Sequence, residues 1–188
     1  MNLMIMTDTP RSDPPANFSS TPVDVLSYAV ADSELGRVLV ARSAKGVCSI
    51  LLGDDADELA ANLAGRFLQS MPVPNEAAVK EDLAEILRYI AKPSGGLDLP
   101  LDMRGTPFQR RVWEKLRSIG AGWTVSYMEL AKRICPPANP RAVAGACAAN
   151  PIALAIPCHR VLRSNGDLGG YRWGIERKRE LIRKEALA

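Results

Sequence analysis

The stretch Ser126-Tyr127-Met128-Glu129-Leu130-Ala131-Lys132-Arg133-Ile134-Cys135-Pro136-Pro137-Ala138-Asn139-Pro140-Arg141 decides how this chain is read. Ser126 with Glu129 three places on is a capping box, and it predicts a short helix that must end before Pro136 and Pro137. Asn139 caps the next helix with Pro140 at its first position, and Asn150-Pro151 ends it. Two short helices around a tight, Pro-rich turn make a helix-turn-helix candidate. A plain helical hairpin fits the same signals.

Working upstream, Thr106-Pro107-Phe108-Gln109 is another capping box and predicts a helix to about Ile119. The helix opened by Asn139 is unusual: apart from Arg141, Val143 and Cys147 it is built of Ala and Gly, through Ala142, Ala144, Gly145, Ala146, Ala148 and Ala149. Small side chains let a helix backbone lie very close to whatever faces it, either a neighbouring helix or the rim of a nucleic-acid groove. Arg141 is the one long cationic side chain on that smooth rod.

Working downstream, the apolar run Ala153 to Ile156 predicts a buried strand leading into Pro157-Cys158-His159-Arg160-Val161. A free thiol is mostly protonated at neutral pH, and a neighbouring imidazole can take its proton directly or through a water. The chain's only histidine stands beside one of its four cysteines. A buried Cys beside a surface His is the plain alternative. In the final helix, from Gly174 onward, Ile175, Leu181 and Ile182 share a stripe with Lys178 and Glu185. A carboxylate on an apolar face needs a partner, and a Cys–His–Glu relay is one activation scheme. A solvent-exposed Glu near a helix end fits the spacing equally.

The first half carries no comparable cluster. Residues 1–22, rich in Pro, Ser, Asp and Thr, read as a disordered tail. Val23 to Ala31 reads as a strand, and Arg37 to Ser43 and Val47 to Leu52 as a hairpin joined by Ala44-Lys45-Gly46. Leu59, Leu63 and Phe67, then Val79, Leu83, Leu87 and Ile90, mark two amphipathic helices, and Gly95 to Met103 an extended connector.

Charge divides along the same line. Through Pro100 there are 8 Lys+Arg against 14 Asp+Glu, and from Leu101 onward 16 against 7. The basic half suggests a face for a polyanion, against the plainer reading of ordinary surface charge. No run approaches the roughly 18 apolar residues of a membrane helix, and no secretory signal opens the chain, so a cytoplasmic protein without a membrane partner is expected. The cysteines at 48, 135, 147 and 158 form no CxxC pair, and with one histidine they make no zinc pattern. Reduced thiols and no metal are expected, with Cys48 in the core and Cys135 at a helix end. Trp113 and Trp123 read as core or turn-packing residues.

Five stretches, RGTPFQRRVW, TVSYMELA, RAVAGACAAN, IPCHRV and GGYRWG, closely resemble the O6-alkylguanine-DNA alkyltransferases, nearest to the C-terminal half of bacterial Ada proteins. In the first half, YAVADSELGRVLVA and GVCSILLGDD are similar to that family's N-terminal domain. The resemblance implies an α+β fold: a small ribonuclease-H-like domain over 23–100 and a helical, winged helix-turn-helix domain over 101–188 that carries the active cysteine. It implies irreversible transfer of an alkyl group from O6 of guanine, and O4 of thymine, in double-stranded DNA to Cys158. The nucleotide is flipped out of the duplex by a monomer that uses no cofactor.

Residue by residue, Cys158 matches the acceptor, His159 and Glu185 the relay that holds it as a thiolate, and Asn150 the organiser of the turn. Arg141 matches the arginine that fills the gap left by the flipped nucleotide. Tyr127 matches the tyrosine that turns the target's phosphate and can protonate the leaving guanine. Ala142, Gly145 and Arg160 complete the implied DNA face. Gly170 and Tyr171 match the loop over the flipped base, with Cys147 and Trp173 as further pocket residues. The resemblance does not reach the zinc domain that Ada proteins carry upstream, so it does not extend to regulator activity. With Cys48 alone and no His in the first half, the zinc site of some relatives is not expected either.

Overall fold

A computed structural model describes residues 23–93, 96–134 and 137–188. The disordered tail expected at 1–22, the placement of Cys135 and the start of the connector at Gly95 lie outside them. The first half is a four-stranded sheet in the order β3-β2-β1-β4, made of β1 (Asp24–Ser33), β2 (Gly36–Ser43), β3 (Gly46–Gly53) and β4 (Ser70–Pro74). The first three strands are antiparallel neighbours, and β4 runs parallel to β1. Helix α1 (Ala56–Arg66) and helix α2 (Glu76–Ala91) follow the periodicities of Leu59–Leu63 and Val79–Ile90. Strand β4 escapes a reading of the sequence because Pro72 and Pro74 interrupt it. Proline cannot donate to a ladder, and the strand is tolerated because it lies at the sheet's edge. Arg104 pins that edge, donating to Asp24 of β1 and, at 3.2 Å, to Ser70 of β4.

Most of β2 and all of β3 but Gly53 are buried, because both faces of this part of the sheet are covered. Leu26, Leu39, Ala41 and Leu51 pack with Leu59 and Leu63 of α1 on one face. Val38, Val40, Ile50 and Leu52 join a core shared with α2 and the whole second half. The pairs Ala41–Ser49 and Arg42–Val47 leave Cys48 as an extra residue, so the alternation slips there. That slip puts Val47 on the same face as Ile50 and turns Cys48 into the α1 core, where burial pushes its thiol up to about 12.

The second half contains α3 (Pro107–Arg117), α4 (Tyr127–Lys132), α5 (Pro140–Ala149) and α6 (Ile175–Ala186). Both capping boxes form: Thr106 with Gln109, and Ser126 with Glu129. A two-residue parallel pair, β5 (Val125–Ser126) with β6 (Val161–Leu162), sets the start of α4 beside the segment that carries Cys158. Trp113 is fully buried and donates to Ala146 O at 2.9 Å, tying α3 to α5.

Two expectations need correction. Ala153 to Ile156 is buried but forms a turn, not a strand. Ile156 N–H donates back to Ile152 O at 3.1 Å, and Leu154 adopts a positive φ of 68°. The run's apolarity reports burial, and its pairing with β3 is limited to the bridge of Ile152 with Ile50 and the Ala153 N–H bond to Ile50 O at 3.0 Å. Trp123 is 75% exposed, since it sits on the turn between α3 and β5 and no element covers it.

The hairpin turn contains the tightest backbone approach. Gly46 has a φ of 142°, and a Cβ there would stand 2.3 Å from Pro100 O. Gly46→Ala should therefore lower stability by about 2–4 kcal/mol through strain and overlap, read as a fall in the urea midpoint at unchanged m-value.

Candidate active site

Four parts of the fold converge on Cys158. The first is the end of α5, where Asn150 is the C-cap and is fully buried. Its Nδ2 donates to Ile156 O at 2.9 Å and to Cys158 Sγ at 3.4 Å, while its Oδ1 accepts from Ile152 N–H at 2.9 Å. One amide thus closes the 152–158 turn and touches the sulfur. The second is the short 3₁₀ turn Cys158–Arg160, whose side chains are all buried.

The third is α6, whose buried stripe of Lys178, Leu181 and Glu185 is the one its spacing predicts. Glu185 accepts from His159 Nε2 at 2.7 Å on Oε1, and from Arg160 Nε at 2.8 Å on Oε2. Arg160 Nη2 reaches Oε1 at 2.9 Å, and Gly122 N–H approaches Oε2 at 3.4 Å. Burial would raise the Glu185 carboxyl, but the bonds from His159 and Arg160 outweigh it and hold the group ionised, well below the usual carboxylate range. An ionised carboxylate only accepts, so Nε2 of His159 carries a proton and Nδ1 is the free lone pair. Nδ1 is buried without a partner among the described residues. Burial also depresses His159 despite Glu185, so the resting imidazole is neutral.

Lys178 is fully buried and donates to Val161 O at 2.6 Å and to Leu168 O, stapling the strand after Cys158 to the loop before Tyr171. Burial pushes the Cys158 thiol up to about 11, opposed by the Asn150 bond and by the Lys178 charge. Burial thus works against ionisation of Cys158, which requires the proton to leave for a neighbour.

The fourth part is the loop of Gly170, Tyr171 and Arg172. With Tyr127, Ala144, Cys147, Ala148 and Cys158, these residues line a cavity of about 380 Å³. A wider depression of about 530 Å³ beside Arg163 and Arg179 contains no nucleophile. The Tyr171 hydroxyl is buried without a partner among the described residues, and its ring meets His159 and Trp173 edge-on. Burial pushes the Tyr127 phenol up to about 12, so it keeps its proton. Trp173 does not line this cavity; it stands behind Tyr171 and faces a separate cleft toward α1. Outside the cavity, Arg141, Ala142 and Gly145 form an exposed face of α5, and among the described residues nothing lies within 4 Å of a Cβ placed on Gly145.

One implied DNA contact is misplaced. Arg160 is buried and its guanidinium is spent inside, on Glu185, on Ile119 O and on the hydroxyl of Tyr89 at 3.0 Å. A cation two residues after the nucleophile reads as a surface charge until the buried carboxylate that needs it is known. Tyr89, on α2, is a residue that reading the sequence misses: its hydroxyl donates to Glu185 Oε1 at 2.6 Å across 96 positions, and no local pattern signals that.

Two family models together cover most of the chain: 6-O-methylguanine DNA methyltransferase, ribonuclease-like domain, over residues 26–103, and the same family's DNA binding domain over residues 107–187. The methylated-DNA–protein-cysteine methyltransferase of Candida albicans is 36% identical over 173 residues, which is 86% of this chain and 97% of that one. The chain belongs to the 6-O-methylguanine DNA methyltransferase family. It is also 50% identical over 159 residues to the bifunctional transcriptional activator/DNA repair enzyme Ada of Escherichia coli, of which it spans 45%. The crystal structure of Mycobacterium tuberculosis OGT in complex with DNA superposes with a TM-score of 0.72 at 33% identity, covering 86% of this chain and 93% of that one. The family's two domains correspond to the sheet half and the helical half described above.

His159 is the chain's only histidine, and this makes its protonation readable. Its pKa is lower folded than unfolded, so the unfolded chain takes the proton first as pH falls. The stability that His159 contributes is therefore complete above about pH 6.5 and is lost as pH falls below it. Urea midpoints measured from pH 7.5 to 5.5 should decline in the wild type and stay nearly flat in His159→Gln.

Proposed function

We propose that this chain repairs alkylated DNA by moving an alkyl group from O6 of guanine, and from O4 of thymine, onto Cys158 in a single irreversible turnover. The observation that carries the reading is the placement of Cys158. It lies buried on the wall of a cavity within the roughly 300–1,000 Å³ range of small-molecule sites, beside a His159–Glu185 pair, and the cavity borders an exposed, small-residue helix face that bears Arg141.

A duplex hides the alkylated oxygen, so the nucleotide must leave the stack at a cost of a few kcal/mol. The smooth face at Ala142 and Gly145 lets α5 approach the groove walls, and Arg141 fills the vacated space. The basic second half, here taken as a domain over 101–188 following one over 23–100, supplies phosphate contacts without sequence preference. The flipped base enters between Tyr127, Cys147, Gly170 and Tyr171.

Cys158 then gives its proton to His159 Nδ1 through a water, and Sγ attacks the alkyl carbon in line. The carbon–sulfur bond forms as the carbon–oxygen bond breaks, and the electron pair goes to the guanine oxygen. The protonated Tyr127 is placed to donate to the departing base. Asn150 steadies the sulfur as charge develops. The thioether product offers water no carbonyl to attack, so the protein is spent. It acts as a monomer in the cytoplasm.

The wild type should take up one methyl group per molecule from excess methylated duplex, with the added mass on the Cys158 peptide and none on Cys48 or Cys147. Turnover beyond one equivalent overturns the reading. Cys158→Ser should bind duplex normally and transfer nothing, because one histidine cannot ionise a serine hydroxyl. Arg141→Ala should slow repair of duplex by tenfold or more, on the order of 1.4 kcal/mol, yet leave reaction with free alkylguanine unchanged, since only the duplex requires flipping. Equal losses on both substrates return Arg141 to a simple phosphate contact.

A further inference from the structure

We propose that Tyr89 of the N-terminal domain is a positioning residue of the reaction centre: by donating its hydroxyl to Glu185 it limits how strongly His159 draws the proton from Cys158. The proposal rests on the reading of Cys158 as alkyl acceptor.

The direction of every hydrogen bond in the cluster follows from the groups present. Arg160 carries only donors, so in its 3.0 Å contact the Tyr89 oxygen must accept. The single proton of that hydroxyl is then committed to Glu185 Oε1 at 2.6 Å. The same oxygen receives His159 Nε2 at 2.7 Å and Arg160 Nη2 at 2.9 Å. Three donors converge on one carboxylate oxygen, and each weakens its hold on the other two. Tyr89 is 1% exposed, so no solvent relieves the competition.

Glu185 acts on Cys158 only through the imidazole. The stronger its bond to Nε2–H, the more basic Nδ1 becomes and the more readily the thiol proton leaves. A third donor on Oε1 works against that bond. The groups facing Glu185 are His159 and Arg160 from the 3₁₀ turn, Tyr89 from α2 and the Gly122 N–H from the turn before β5. Those acting on Cys158 are Asn150 and Cys147 from α5, Lys178 from α6, Tyr127 from α4, and Tyr171 and Arg172 from the loop. Removing the Tyr89 hydroxyl leaves all of the second set in place.

The test is Tyr89→Phe in the full chain, which keeps the ring and its packing. The pH profile of Cys158 alkylation by iodoacetamide is followed by the mass of the Cys158 peptide, beside methyl transfer from a methylated duplex. The midpoint should move down by about half a pH unit, and alkylation at neutral pH should rise about threefold. Glu185→Gln should move the midpoint up. Site-specific 3,5-difluorotyrosine at position 89, a stronger donor with the same shape, should also move it up, which keeps the proposal testable if Tyr89→Phe folds poorly. Unshifted midpoints in both Tyr89 variants, with only a lower urea midpoint, would show a purely structural tyrosine and overturn the proposal. Methyl transfer separates the two failures. A methyl group on any other residue of the wild type sinks the acceptor reading, whereas methyl on Cys158 throughout with unshifted profiles sinks the Tyr89 role alone.

Discussion

The buried carboxylate of Glu185 is the constraint around which the rest is arranged. An ionised group in a dry interior is costly unless paired and fully hydrogen-bonded, and breaking such a pair from one side costs several kcal/mol. Here the pairing is supplied by three separate stretches of chain: the 3₁₀ turn through His159 and Arg160, α2 through Tyr89, and the turn before β5 through Gly122. The cluster therefore fixes the relative positions of both halves before any substrate is present. It also fixes which nitrogen of His159 is free, and so the direction in which the thiol proton travels.

A second, smaller device completes the site. Asn150 ends α5 and ties the 152–158 turn with three hydrogen bonds, one of them to the reactive sulfur. The left-handed backbone at Leu154 is held by this tie and by the hydrogen bonds from Ile50 N–H to Pro151 O and from Ala153 N–H to Ile50 O. Such a conformation in a branched residue costs about 1–3 kcal/mol and persists only where its surroundings dictate it. The same residue that ends the helix facing outward thus sets the sulfur facing inward, so helix position and nucleophile position cannot vary independently.

Much of this was legible in the residues. The capping boxes at Thr106 and Ser126, and Asn139 before Pro140, located α3, α4 and α5 because caps are local chemistry. Lys178 and Glu185 fell on the buried stripe of α6 because helical period is local too. What escaped was set by tertiary pairing. Strand β4 is hidden by its prolines, and Ala153–Ile156 has the apolarity of a strand without strands on both sides to pair with. Arg160 and Tyr89 acquire meaning only when Glu185 arrives from a distant helix. Trp123 shows the converse, since an aromatic residue carries no mark of whether its turn will be covered. Cys158, the histidine beside it and the arginine on α5 were singled out by motif resemblance, but the burial that pushes the thiol up is recorded by no motif.

The contact between Tyr89 and Glu185 spans 96 positions, and that between Ser49 and Pro151 spans 102. Closing loops of that size is entropically expensive and slow compared with forming a helix. The surroundings that shelter Cys158 are thus assembled only once distant parts of the chain have met. Until α6 has emerged and folded back, the thiol stands in water without its histidine held in place. It then behaves as any free cysteine does, open to oxidants and to other thiols. Its shelter comes only with the long-range contacts that α6 brings.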